Sequence, residues 1–210
     1  MIRCIALDFD GTVLLSNEIK SQCFFDTVSS ISEGYEIMTA ILAKNPGDRY
    51  EVFDIFASKT GLSAMDLAGK YSVCCREKIL ICRERHGAKS VISQIRKLGI
   101  KVYLNSATPV VPLRAIVFGR YGAGFFDGIY GNSGQKAENL SAILADEAIQ
   151  PKELVMIGDG TDDWEAALNV GCHFIGVSDG TLSAGAGCVV PMFDNFHDIF
   201  QCLKEGFQVV

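Results

Sequence analysis

From about residue 88 onward the chain alternates segments of helical and of strand-like pattern, and no other feature limits its possible folds so strongly. Residues 88–98 carry Val91, Ile95 and Leu98 at helical spacing, and Gly99 follows as a helix-ending residue. Residues 100–104 then form an apolar strand, as do residues 5–7 near the start. The alternation continues with a helix near 109–119, a short strand around 125–130, a helix over 135–149 and a strand over 154–157. A helix near 164–169, strands at 174–177 and 188–190, and a terminal helix from about Asn195 complete it. Short apolar strands separated by helices predict a parallel sheet covered on both faces, an α/β fold of Rossmann-like type.

Residues 16–87 break this rhythm, because they contain no convincing strand. Asn17 is placed to cap a helix carrying Phe24, Val28 and Ile31. The turn Asn45-Pro46-Gly47-Asp48 precedes a second run with Val52, Phe53 and Phe56. Ser63 is placed to cap a longer helix through Leu67, Tyr71, Cys74 and Lys78. The expected organisation is therefore an α/β core made of residues 1–15 and 88–210, with an all-α cap, residues 16–87, inserted after the first strand. An insertion at that point is positioned to close over a site like a lid.

The position of that site is given by Asp8-Phe9-Asp10-Gly11-Thr12, which follows the first strand. Residues two apart on a strand share a side, so Asp8 and Asp10 can face one site while Phe9 turns away and Gly11 permits a sharp turn. Two carboxylates that close repel unless a cation or proton sits between them, so the motif predicts a metal. A second acidic cluster, Gly158-Asp159-Gly160-Thr161-Asp162-Asp163, follows the strand over 154–157, and ligand sites in open parallel sheets form beyond the carboxyl ends of the strands. Asp163 lies one helical turn beyond Asp159, within reach of a metal-bound water, while Asp162 reads equally as a helix N-cap or first-turn acid. Ser106 follows the strand over 100–104 and offers a hydroxyl before a helix N-terminus that favours an anion. Lys136 sits at the start of the helix over 135–149, where the helix dipole disfavours a cation unless an anion is bound.

A net charge of -6 and a pI near 5.1 argue against a nucleic-acid partner, which needs a basic face. No apolar run approaches the roughly 18 to 20 residues that span a bilayer, so no membrane association is expected. The start, Met1-Ile2-Arg3-Cys4, runs straight into a strand and leaves no room for a signal peptide, so a cytoplasmic protein is expected. The eight cysteines, Cys4, Cys23, Cys74, Cys75, Cys82, Cys172, Cys188 and Cys202, lie in apolar segments without Cys-x-x-Cys spacing and read as buried free thiols.

In order and position, Asp8-Phe9-Asp10-Gly11-Thr12, Ser106, Lys136, and Gly158-Asp159 with Asp163 resemble the four motifs of the haloacid dehalogenase (HAD) superfamily. The helical insertion, with Phe126-Asp127-Gly128 and the Gln135-Lys136 segment, is similar to the phosphoglycolate phosphatase-like branch. That resemblance implies a phosphatase acting on a small phosphate monoester through an aspartyl-phosphate, phosphoglycolate or a sugar phosphate being favoured. Asp8 would be the nucleophile and Asp10 the acid and base. Ser106, Lys136 and Thr12 would bind the phosphate, with Thr12 also orienting Asp10. Asp8, the Asp10 backbone carbonyl and Asp159 would hold Mg2+, with Asp163 acting through a water. A phosphomutase of the beta-phosphoglucomutase type shares this acidic set, and a non-catalytic phosphate-binding module is the reading from another class. Substrate choice would fall to insertion residues such as Arg49, Tyr50, Arg76, Arg83, Arg85 and His86.

Overall fold

The computed structural model describes residues 1–44, 46–131, 136–178 and 190–206. Its chain divides into two compact units, Met1–Leu15 with Arg83–Val210, and Ser16–Cys82.

The first unit is built on strands β1 (Cys4–Leu7), β2 (Lys101–Ser106), β3 (Gly128–Gly131), β4 (Leu154–Gly158), β5 (His173–Val177) and β6 (Met192–Phe193). All pair in parallel in the order β3-β2-β1-β4-β5-β6, so the chain builds outward from β1 in one direction and then restarts on its other side. β1 is paired on both edges, Cys4 lying opposite Lys101 and Leu154, and Leu7 opposite Leu104 and Ile157. Every residue of β1 and β4 is buried, as expected of strands covered on both faces. On one face Cys4, Ala6, Leu154 and Met156 pack with Leu140 and Ile143 of α7 (Lys136–Asp146) and with Ala166 and Ala167 of α8 (Thr161–Val170). Elsewhere in this unit α5 (Ala88–Lys97) packs against β2 and against α9 (Phe196–Gly206), and α6 (Val110–Tyr121) packs against β3.

The helix expected over 88–98 stops at Lys97, and Leu98 is exposed, the buried face being Val91, Ile92 and Ile95. Gly99 takes a φ of 81° that only glycine adopts without strain, so the turn falls where the sequence puts it. The last strand among the described residues lies at Met192–Phe193. Cys188 and Gln135 lie outside the described residues, and Val190 is not in a strand. The chain leaves this unit at Leu15 and returns beside itself, Leu15 N–H donating to the Arg83 carbonyl and Arg85 N–H to that of Val13, each at 3.0 Å.

The second unit is all-helical: α1 (Asn17–Val28), α2 (Gly34–Leu42), α3 (Arg49–Thr60) and α4 (Ala64–Ile79). Phe24, Phe53 and Tyr71 meet at its centre with ring centroids 4.4–5.7 Å apart. The Ser63 cap forms, its hydroxyl accepting from Asp66 N–H, and Asp48 caps α3 by accepting from the N–H groups of Tyr50 and Glu51. Asn17, however, is the first residue of α1, and Ser16 occupies the cap position, where its side chain makes no capping bond to the helix N–H groups. α1 ends at Val28, before Ile31, and α2 is an additional helix. Glu33 turns the chain there in the left-handed conformation, at a φ of 57°, a break carried by a residue type that does not advertise one.

The cysteines are only partly core filler. Cys4, Cys23, Cys75 and Cys82 are buried, whereas Cys74, Cys172 and Cys202 keep some exposure, and no disulfide links the described residues. No helix among the described residues is long and apolar enough to cross a membrane.

Candidate active site

Asp8 continues β1 past its last ladder residue, its N–H donating to the Ile157 carbonyl of β4 at 2.9 Å. The chain then folds back tightly, Val13 and Leu14 N–H both donating to the Phe9 carbonyl at 3.0 Å, with Gly11 at a φ of 83°. Phe9 is buried in the core, so the alternation that turns it away from the site operates as expected.

Around Asp8 the structure collects residues from three other places in the sequence. One carboxylate oxygen each from Asp8, Asp159 and Asp163 lie within 4.8 Å of one another, and all three residues are buried. Lys136, at the N-terminus of α7, sends its ammonium among them, 3.2 Å from Asp8 Oδ1, 2.5 Å from Asp163 Oδ1 and 2.9 Å from the exposed Asp162 Oδ2. Three acidic partners explain why a lysine is tolerated at a helix start. Asp162 is thus a first-turn acid of α8 that also reaches Lys136, and the Asp163 carboxylate turns back to accept from Gly160 N–H at 3.1 Å. A β-carbon on Gly158 would collide with the Asp163 carboxyl, so this position must be glycine for Asp163 to face the cluster.

The electrostatics follow from burial and crowding. Desolvation is the largest influence on Asp8 and holds its carboxyl well above the usual range, opposed by Lys136 and reinforced by Asp163, Asp159 and Asp10. Asp163 is pushed up to about 7, first by burial and against the pull of Lys136. Burial would lower the Lys136 ammonium, but Asp8, Asp163 and Asp162 outweigh it and raise it well above the ordinary lysine value. More negative charge is gathered here than one ammonium balances. Buried, hard oxygen donors of this kind fit a divalent cation.

Thr12 and Thr108 both place their hydroxyls on carboxylates of the site. The Thr12 hydroxyl, expected to orient Asp10, donates to Asp159 Oδ1 at 2.8 Å, and it is Thr108 that donates to Asp10, at 2.8 Å to Oδ2. Ser106 is buried at the end of β2, where its hydroxyl oxygen accepts from Thr108 N–H at 3.1 Å. Asn105, also buried, donates to the Lys136 backbone carbonyl at 3.0 Å and accepts from Asn139, tying the start of α7 to the sheet. A polar residue interrupting an apolar strand was the signal that could have singled it out. Arg85, grouped above with substrate-facing residues, is instead buried: its guanidinium donates to the carbonyls of Gly11, Thr12 and Asp194, at 3.0 Å to Thr12 and 3.1 Å to Asp194. Asp127 is a structural residue. Burial alone would raise its carboxyl, but Arg96, Val102 N–H and Lys101 together hold it below the usual range.

A family model of the haloacid dehalogenase-like hydrolases matches residues 2–171, a span that runs from β1 through α8 and so includes every site residue above. The chain belongs to the haloacid dehalogenase-like hydrolase family. Its family assignment makes it a hydrolase. None of the curated proteins matches its sequence. Solved structures do match its fold. A predicted phosphoglycolate phosphatase from Haemophilus somnus superposes with a TM-score of 0.77 at 17% identity, covering 95% of this chain and 97% of its own. CbbY from Rhodobacter sphaeroides, in complex with phosphate, gives 0.76 at 18% identity over 95% and 96% of the two chains. A CbbY variant bound to xylulose-(1,5)bisphosphate gives 0.74 at 17% identity over 93% and 95%. At these identities the likeness is one of fold, a parallel α/β core with a helical insertion after β1.

Proposed function

We propose that this HAD-like hydrolase is a magnesium-dependent phosphatase of small phosphate monoesters, with phosphoglycolate and sugar phosphates the favoured substrates. The observation that carries this reading is the convergence of Asp8, Asp159 and Asp163 on one another and on Lys136 at the carboxyl ends of β1 and β4. Asp8 attacks phosphorus in line, forming an oxygen–phosphorus bond as the bond to the leaving oxygen breaks, and so divides a hard displacement into two easier ones. Asp10 gives its proton to the departing oxygen, and then takes one from the water that hydrolyses the aspartyl-phosphate. Its hydrogen bond from Thr108 keeps that carboxyl oriented for both transfers.

Lys136 binds a non-transferring phosphate oxygen while steadying Asp8, and the Ser106 and Thr12 hydroxyls lie in segments that flank the same pocket of charge. Asp8, Asp159 and the Asp10 backbone carbonyl would hold Mg2+, with Asp163 steadying its water shell. When bound, the ion supplies positive charge between nucleophile and phosphate. Asp8 has to react as its anion although burial disfavours that form, and the ammonium of Lys136 opposes the burial.

The test is a panel of phosphate monoesters assayed with and without Mg2+, on the native protein and on Asp8→Asn. Metal-dependent release of inorganic phosphate, lost by at least a thousandfold in Asp8→Asn, is the expected result. Metal-independent turnover or an active Asp8→Asn enzyme overturns the mechanism, and isomerised sugar phosphate without free phosphate overturns the assignment as a phosphatase.

A further inference from the structure

The helical unit holds a cluster of nucleophilic side chains that phosphate chemistry does not use. Cys23 of α1 and Cys74 of α4, 51 residues apart in sequence, bring their sulfurs to 2.9 Å. Cys75, the next residue of α4, is buried. Asp26, one turn along α1 from Cys23, stands 3.8 Å from Cys74 Sγ.

Such a group could bind a soft metal or be oxidised, and two distances decide between them. Sulfurs bound to one tetrahedral zinc at about 2.3 Å each are held roughly 3.8 Å apart, so this pair is too close for shared ligation by nearly an ångström. Asp26 is also engaged, with Lys78 Nζ 2.5 Å from its Oδ2. Conversely, non-bonded carbons, smaller than sulfur, prefer separations of about 3.5–4.0 Å, so the two thiols already lie inside ordinary contact and part of the way to a bond.

We propose that Cys23 and Cys74 form a reversible disulfide that cross-links α1 to α4, with a hydroperoxide as the two-electron oxidant. Cys74, the member with exposure, meets the oxidant first. Its thiol loses a proton, and the sulfur attacks the near peroxide oxygen. The O–O bond breaks, and the far oxygen leaves as water or alcohol once protonated, giving a sulfenic acid. Cys23 sulfur then attacks the Cys74 sulfur, the S–S bond forms and the sulfenic oxygen departs as water. In sum two thiols and hydrogen peroxide give one disulfide and two waters.

The experiment treats the reduced full-length protein with stoichiometric hydrogen peroxide, counts thiols after denaturation, and locates the linkage by fragmenting the peptide that contains Cys74 and Cys75. Two of the eight thiols should disappear, the Cys23–Cys74 linkage should dominate, and a dithiol reductant should restore all eight. Cys75→Ser should give the same product. Retention of all eight thiols, terminal oxidation of Cys74 without a cross-link, a Cys23–Cys75 product in the native protein, or stoichiometric zinc binding that shields the thiols would each overturn the proposal.

Discussion

Lys136→Met replaces the buried ammonium by a side chain of similar length that cannot pair. In the native chain this group lies 3.2 Å from Asp8 and 2.5 Å from Asp163, and its side chain is only 8% exposed. At an effective dielectric of about 20 the gross attraction at 3.2 Å is about 5 kcal/mol per charge pair, most of which offsets the cost of burying the charges. Removing one partner leaves that cost uncompensated, so a destabilisation of about 3–5 kcal/mol is expected at pH 7.5 without divalent metal. The carboxylates can escape by taking up protons. Since Asp8 and Asp163 already titrate high with Lys136 present, the deficit should shrink to about 1 kcal/mol at pH 5. Urea unfolding followed by far-UV circular dichroism at both pH values measures the two differences. Addition of Mg2+ should then stabilise the variant more than the native protein, because a dication can occupy the charge balance that the lysine provided. A variant as stable as native at pH 7.5, or an equal loss at both pH values, would refute the view that Lys136 neutralises this cluster.

Two further perturbations test other parts of the site. Asp163, at about 7 when folded against 3.8 as its ordinary value, keeps a proton in the folded state that the unfolded chain has already lost. Its contribution therefore weakens the metal-free fold as pH rises from about 4 to 7, by up to about 4 kcal/mol. Asp163→Asn should flatten that decline in urea titrations with chelator present, and an unchanged slope would contradict the assignment. Arg85→Ala strips donors from the carbonyls of Gly11, Thr12 and Asp194 and should cost about 2–4 kcal/mol, with kcat falling more than KM rises because the loop after Asp8 loosens. Arg85→Lys should restore part of both, and native-like kcat in Arg85→Ala would exclude a positioning role.

The legible and illegible parts of this molecule differ in the range of the physics involved. β1, the Ser63 cap and the turn at Gly11 follow from local rules of pattern and backbone freedom, and they fall where the sequence puts them. The acidic strand ends were readable because a parallel sheet always presents its carboxyl edge to ligands. Lys136 gained meaning only through the family resemblance, since its three acidic partners become neighbours only after folding. Thr12 shows the same range of contact: Asp10 is its near neighbour in sequence, but its hydroxyl donates to Asp159, 147 residues away. Arg85 gave no signal at all, because its partners are backbone carbonyls, which every residue possesses. Glu33 opens α2 from a left-handed turn, a conformation its residue type rarely adopts.

The position of β1 at the middle of the sheet bears on when the molecule becomes competent during synthesis. The helical unit Ser16–Cys82 is one continuous stretch and has all its own residues as soon as it leaves the ribosome. β1, made earlier, acquires β2 about a hundred residues later, and its other edge stays open until β4 emerges. Asp8 N–H waits for Ile157, and Thr12 for Asp159. Closing such distant pairs is slow for a free chain, so a nascent chain carries Asp8 without Lys136, Ile157 and Asp159 until those segments have been made. β1, in the middle of the sheet, is paired on both edges only once β4 has been made, and the Asp8, Asp159 and Asp163 cluster assembles no earlier than that.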